Sequence, residues 1–418
     1  MKRLKIILLN MALFVATGAL LLAAGEAALR LAGVQPPRFV SYDEYRDMNK
    51  LYMPNAVARW CGPLGAVMDF DNQVRTNDLT FHDTTHTPEK AASVFRILVL
   101  GDSYVEAHQV PLEDTFFKQL QRRLNADPSV LPPGKTSAEL IAMGRSGNGA
   151  VRELVTLREH GLAYHPDLVM CFLTEQNDFN DDWNHYRYMT GQDTYKHVNL
   201  RPRDTVQEKV RLYEKLLIFK GSRLNRWIAF KLTQMLLKKS RVEADADAWK
   251  SGLGIYALEG APLFKDEAAK WEEAFRVTAQ SYLSMNALAR GAGAGFVAVL
   301  NERRATFEKD SRAYLAGLFP GLEHQVDFNY PSRRFTAVMN RYDVPVLDLS
   351  PVFRAYHERT GEKGNFAHDG HWRRRGHELV AGALYDYLVN DYFKNKPTAK
   401  PEENTHAENA VAENVIQK

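Results

Sequence analysis

The stretch that decides the fold is FRILVLGDSYVEAHQV, residues 95–110. Phe95 to Leu100 is apolar except for Arg96, and the run stops at Gly101-Asp102-Ser103, before a segment with helix-starting character. A short continuous apolar run bounded by turn residues reads as a strand buried on both faces, the kind found in parallel sheets. Asp and Ser after such a strand are ordinary turn formers and helix caps. They also stand where open α/β sheets place reactive groups, and a serine there is a candidate nucleophile. The rest of the chain has to choose between the two readings.

Further strand-like runs follow at AELIAM (138–143), DLVMCFL (167–173), GFVAVL (295–300) and PVLDL (345–349). Helical patterns lie over 112–124, 150–160, 267–290 and 376–392. Buried strands alternating with helices predict a five-stranded parallel sheet in a three-layer α/β/α sandwich, with its domain over 95–393.

The ends read differently. MKRLK is basic, and Ile6–Gly25 carries no charge. Such a run spans roughly 30 Å as a helix, the thickness of a bilayer's hydrocarbon core. A cleaved signal peptide would have a shorter apolar region and a small-x-small site, for which only Ala23 and Gly25 offer a match. The expectation is an uncleaved anchor over 1–33 in the inner membrane. Lys2, Arg3 and Lys5 stay cytoplasmic, and the body faces the periplasm or cell exterior. Residues 34–94, with Pro36, Pro37, Pro54 and Pro63, read as an irregular lead-in packed on the main domain. Residues 394–418 lack aromatics after Phe393 and read as a disordered tail.

A helical insertion is expected at about 184–266. Its centre, 209–241, holds ten Lys or Arg against one acid, Glu214. Leu224, Trp227, Ile228, Lys231, Leu232, Met235 and Leu236 recur at helical spacing behind Ser222, a candidate N-cap. The apolar stripe packs on the main domain with its charges solvated, or it forms a lid or platform toward anionic headgroups or an acidic glycan. The net charge of +3 over 418 residues argues against nucleic acid as a partner. Two cysteines, Cys61 and Cys171, offer no metal spacing, and Cys171 reads as a buried apolar residue within LVMCFL.

The polar residues converge. Ser103 follows the first strand, GRSGNGA (144–150) the second, TEQNDF (174–179) the third, and AHDGHWRRRGHELVA (367–381) comes after the fifth. All these loops open on one edge of a parallel sheet, outside the strands' carboxyl ends. Serine needs a base, histidine is the usual one near neutral pH, and the histidine needs a carboxylate partner. Asp369 and His371, two residues apart, point the same way in an extended segment. Donors for an oxyanion are the backbone N–H of Ser103 and of Gly147 and the side-chain amide of Asn177. Asp102 and Asp178 read as residues that brace these loops.

LVLGDSYVEAHQV, GRSGNGA, QND and DGHW, in this order, resemble the successive blocks of the SGNH (GDSL-like) serine hydrolases. VRTNDLTFHD (74–83) resembles the lead-in of membrane-anchored bacterial members. The resemblance covers roughly 95–180 and 295–393, about half the chain. It implies the α/β/α fold, with Ser103 as nucleophile, His371 and Asp369 completing the triad, and Gly147 and Asn177 at the oxyanion. The chain departs from the family pattern twice. Glu175 stands where the third block usually has glycine, and His368 takes the common acid position three residues before the histidine. Relatives that modify bacterial exopolysaccharides share the shorter spacing of Asp369. The implied activity is removal of an acyl group, O-acetyl first, from a cell-envelope glycan through an acyl-enzyme, with no cofactor and no metal. The alternatives are O-acyl transfer on the same residues, or a non-catalytic polysaccharide-binding module. Oligomeric state is not legible.

Overall fold

A computed structural model describes residues 2–34, 52–62, 68–191, 212–218, 221–233, 235, 269–317 and 327–395. The chain divides into two compact units, one of Met1–Arg46, Cys61–Asp69 and Arg201–Ala244, the other of Asp47–Trp60, Phe70–Leu200 and Asp245–Lys418.

The lead-in contributes strands β1 (Val57–Gly62) and β2 (Phe70–Arg75), which form a two-stranded sheet. This corrects the expectation of an irregular segment. The strands are short and mix polar with apolar residues, as in FDNQVR, so no continuous apolar run announces them. The main sheet comprises β3 (Val94–Gly101), β4 (Ser137–Gly144), β5 (Leu168–Leu173), β6 (Gly295–Leu300) and β7 (Val346–Asp348). All five are parallel, in the order β4-β3-β5-β6-β7. The order reverses at β3, which has β4 on one side and β5 on the other, so the crevice at the end of β3 is a topological switch point.

Alternation along β3 separates two cores. Leu98 and Leu100 face one with Val169, Cys171, Phe296 and Phe335. Ile97 and Val99 face the other with Met170, Phe172, Phe116 and Trp372. Helix α1 (Lys2–Leu31) belongs to the smaller unit, and α2 (Ser103–Glu106) comes directly after β3. Helices α3 (Phe116–Ala126), α4 (Ala150–Glu159), α5 (Asp178–Met189), α6 (Ala269–Gly291), α7 (Tyr330–Arg341), α8 (Ser350–Thr360) and α9 (Arg374–Tyr387) flank the sheet. Residues of α4 to α7 fill the first core, and residues of α3, α8 and α9 the second. The result is the expected α/β/α sandwich. Arg96, the one charge in β3, is buried and satisfied. It donates to Glu139 at 2.7 Å and to the carbonyls of Pro88, Glu89 and Tyr164.

The segment 77–83 locks onto this domain. Asn77 Oδ1 accepts from the backbone N–H of Leu79 and Phe81, closing a tight turn. Burial lowers the His82 pKa to about 4, with His108 adding to the effect, so its ring is neutral and Nδ1 donates to Glu106 O at 3.0 Å. Asp83 pairs with Lys118 and accepts from Ala142 N at 2.9 Å.

In the smaller unit, α1 is exposed and is long and apolar enough to cross a membrane. Residues 212–216 and 223–233 are helical, and Ala229 and Phe230 bury themselves against Tyr213, Leu216 and Leu217. The rest of the expected insertion, 192–211 and 236–268, and the expected tail from 396 lie outside the described residues.

Candidate active site

Each strand of the switch point delivers one block. β3 ends at Gly101, where a side chain would collide with Val105 and Phe172. Asp102 then caps α2, its Oδ1 accepting from Tyr104 N at 3.0 Å. The strand–turn–helix bend leaves Ser103 at the first helical position, partly exposed. After β4, Gly147 adopts φ +74°, a conformation that side-chain-bearing residues rarely take. After β5, Asn177 is the residue just before α5, with its side chain free of any capping bond to that helix. Between β7 and α9, the loop 367–371 turns at Gly370, φ +94°.

That loop reaches Ser103 across 268 residues of sequence. His371 Nε2 lies 2.7 Å from Ser103 Oγ, and His371 Nδ1 lies 2.6 Å from Asp369 Oδ1. The ring packs against Tyr104 in a tilted pair, centroids 4.9 Å apart and planes at 42°. Burial opposes the charged ring, but the Asp369 charge and hydrogen bond outweigh it, helped by Asp102 and Glu106, and the His371 pKa is raised above the ordinary 6.5. The three groups form a hydroxyl–imidazole–carboxylate relay, with Asp369 in place to fix the ring so that Nε2 faces the hydroxyl. His368, at the position the acid takes in many SGNH members, is exposed.

Asn177 is brought to the same edge, but both its amide hydrogens face carboxylates. Nδ2 donates to Asp102 Oδ2 at 3.3 Å and to Asp181 Oδ2 at 3.2 Å. Burial raises the Asp181 pKa to about 7 despite the Asn177 hydrogen bond. Asp102 is likewise raised by burial, against its backbone bond to Tyr104 and the nearby His371. Asp178 braces the loop before α5, Oδ2 accepting from Thr174 N at 2.6 Å, and burial beside Asp102, Glu153 and Asp182 raises its pKa well above the ordinary carboxylate range. Glu175 turns to Arg303, 3.4 Å away, which also pairs with Asp348 at 2.7 Å. The glycine-position departure is thus answered by an arginine on the next strand end. Burial still lifts Glu175 to about 7 against the pull of Arg303.

The sequence reading passes over the segment after β6, LNERR at 300–304. Glu302 is buried there. It accepts from Trp372 Nε1 and from Asn365 Nδ2, each at 2.7 Å, and Asn365 also donates to Gly370 O at 2.9 Å. This network holds both ends of the 367–371 loop. The only signal for it is positional, because Glu302 stands just past a strand end on the site's edge. Among the described residues no group of His, Cys, Asp or Glu could hold a metal ion.

No protein-family model matches the sequence, and no curated protein matches it. Solved structures similar to the chain include an α/β hydrolase enzyme from the metagenome of Lake Arreo, Spain, 13% identical with a TM-score of 0.37, covering 73% of this chain and 98% of that one. An acetylxylan esterase from Geobacillus stearothermophilus is 11% identical with a TM-score of 0.37, again covering 73% of this chain and 98% of its own. At these values neither carries a substrate or a mechanism across.

Proposed function

We propose that the chain is a membrane-tethered serine esterase of the SGNH type. The catalytic domain spans 95–393, and α1 is an uncleaved anchor that leaves this domain on the extracytoplasmic side. The observation that carries the reading is the unbroken relay from Ser103 through His371 to Asp369, at 2.7 and 2.6 Å.

In the reaction, Ser103 Oγ attacks the ester carbonyl carbon while its proton passes to His371 Nε2. Asp369 stabilises the imidazolium. The tetrahedral oxyanion is met by the backbone N–H of Ser103 and Gly147, and by Asn177 once its amide releases one carboxylate. The C–O bond to the alcohol breaks, His371 returns the proton to the leaving oxygen, and an acyl-enzyme remains. Water, deprotonated by His371, then attacks the acyl carbon and frees the acid and Ser103. No cofactor or metal enters these steps.

The anchor places the enzyme at the cell envelope, which favours an acylated envelope glycan with O-acetyl as the group removed. Turnover of p-nitrophenyl acetate against longer-chain esters by the purified chain tests this. The reading expects preference for the short ester and loss of turnover in Ser103→Ala. Equal turnover by Ser103→Ala contradicts it.

A further inference from the structure

The smaller unit contains a contact that the esterase chemistry does not use. Glu26 follows directly on the charge-free run Ile6–Gly25 and sits near the outer end of α1. Its carboxylate closes the start of the helix over 223–233. Oε1 accepts from Arg223 N at 3.1 Å, and Oε2 accepts from Leu224 N and Ser222 Oγ, each at 2.9 Å. The clasp runs both ways. Arg223 Nη1 donates to the carbonyls of Leu29 and Val34, near the end of α1, and Arg30 donates to Gly221 O. Gly25 lets Leu224 pack closely, since a side chain there would meet Leu224 Cδ2 at 3.2 Å.

The helix so fastened has two different faces. Ala229, Phe230 and Thr233 are buried, the first two against Tyr213. Trp227, Lys231 and Met235, four residues apart, share the opposite face with Leu232 beside them. Trp227, Leu232 and Met235 are exposed, Met235 by 71%. Lys231 Nζ lies over the Trp227 ring, 5.8 Å from its centroid.

We propose that this helix is an interfacial membrane helix, and that its Trp227–Lys231–Met235 face lies in the phospholipid headgroup–acyl boundary of the same membrane that α1 crosses. Glu26 marks the depth. If Ile6–Gly25 fills the hydrocarbon core, Glu26 falls at headgroup level, and the helix it caps begins there. A tryptophan with a lysine and flexible apolar side chains on one exposed face is the chemistry of that boundary. An acidic glycan would call for several charges on this face, where the protein exposes Trp227, Leu232 and Met235 around the single Lys231.

The proposal rests on α1 being a membrane span, and the experiment separates the two. The full chain, whose two native cysteines are buried, is labelled with an environment-sensitive fluorophore at Phe14→Cys or Trp227→Cys. Each form is reconstituted in phosphatidylcholine–phosphatidylglycerol nanodiscs carrying brominated lipids of graded depth. The expected result is quenching of the position 14 label by deep bromines, and of the position 227 label by shallow ones with a blue-shifted emission. Glu26→Gln, in the Trp227→Cys background, should cost the shallow quenching at 227. The same substitution should leave position 14 unchanged. Deep quenching at 14 with an aqueous, unquenched label at 227 overturns the interfacial helix and leaves the anchor standing. Aqueous labels at both positions overturn both. Undiminished quenching at 227 in Glu26→Gln removes the clasp from the account.

Discussion

Asp369 Oδ1 bonds His371 twice, to the ring Nδ1 at 2.6 Å and to the backbone N–H at 3.2 Å. The second bond is an Asx-type turn, and it is available only because the acid lies two residues before the histidine. The shorter spacing therefore fixes backbone and ring together. Asp369→Asn should keep the fold yet favour the wrong tautomer, lowering kcat by about 10³–10⁴-fold on the scale of such changes. His368→Ala, at an exposed position, should cost little. Steady-state ester hydrolysis by the two purified variants compares them directly.

The pH dependence follows from the same pair. As a base, His371 works only when neutral, and its pKa is raised above 6.5. Activity should therefore be lost as pH falls through that raised value, and the acidic limb of the kcat/KM profile should lie above pH 6.5. Removing the Asp369 charge lets burial dominate, so the limb should move to lower pH in Asp369→Asn. A limb that stays in place would show that another group sets it.

Asn177 gives a third expectation. Losing one oxyanion donor costs on the order of 10²- to 10³-fold in kcat. Asn177→Ala should show a loss of that order with KM nearly unchanged, because the donor acts on the transition state. A loss confined to KM would assign Asn177 to substrate binding instead.

Glu302 should matter at a distance from the chemistry. Its two oxygens receive N–H donors from Trp372 and Asn365 in a fully buried place. Glu302→Gln turns an amide N–H toward one of those donors and leaves a buried group unpaired, which costs about 1–3 kcal/mol. The melting temperature and kcat should fall together, and Trp372 fluorescence should report a loosened loop.

Asp182 predicts a stability effect with a definite sign. Burial lifts its pKa from 3.8 to about 7, although Thr278 and Val151 N donate to it at 2.6 and 2.8 Å. The folded protein thus holds a proton that the unfolded chain has released, and this group's contribution to stability is lost as pH rises from about 4 through 7. Asp182→Asn copies the neutral carboxyl and cannot titrate. Its stability relative to wild type should improve from about pH 4 to about pH 8 in urea titrations. A difference that is flat with pH would mean Asp182 ionises normally in the fold.

The sheet was legible because β3 to β6 are runs of apolar residues buried on both faces, a pattern that survives without any partner in view. The meeting of Ser103, His371 and Asp369 was legible because strand ends of a parallel sheet share one edge. Helix α5 was not. It buries Asp178, Asn180, Asp182 and His185 rather than an apolar stripe, so hydrophobic periodicity is silent there. The Glu302 network escaped for a related reason: a buried carboxylate held by an indole and an amide leaves no local signature, since its partners lie 63 and 70 residues away. The engagement of Asn177 with Asp102 and Asp181 likewise exists only once β3 and β5 are side by side.

The most direct test of the account is whether Ser103 is a nucleophile. Wild-type protein is treated with a fluorophosphonate and the adduct located by peptide mass spectrometry, beside Ser103→Ala and His371→Ala. The account predicts one stoichiometric adduct on Ser103, none in Ser103→Ala and a labelling rate in His371→Ala reduced by orders of magnitude. An unlabelled wild-type protein, or an adduct on another residue that persists in Ser103→Ala, would contradict it.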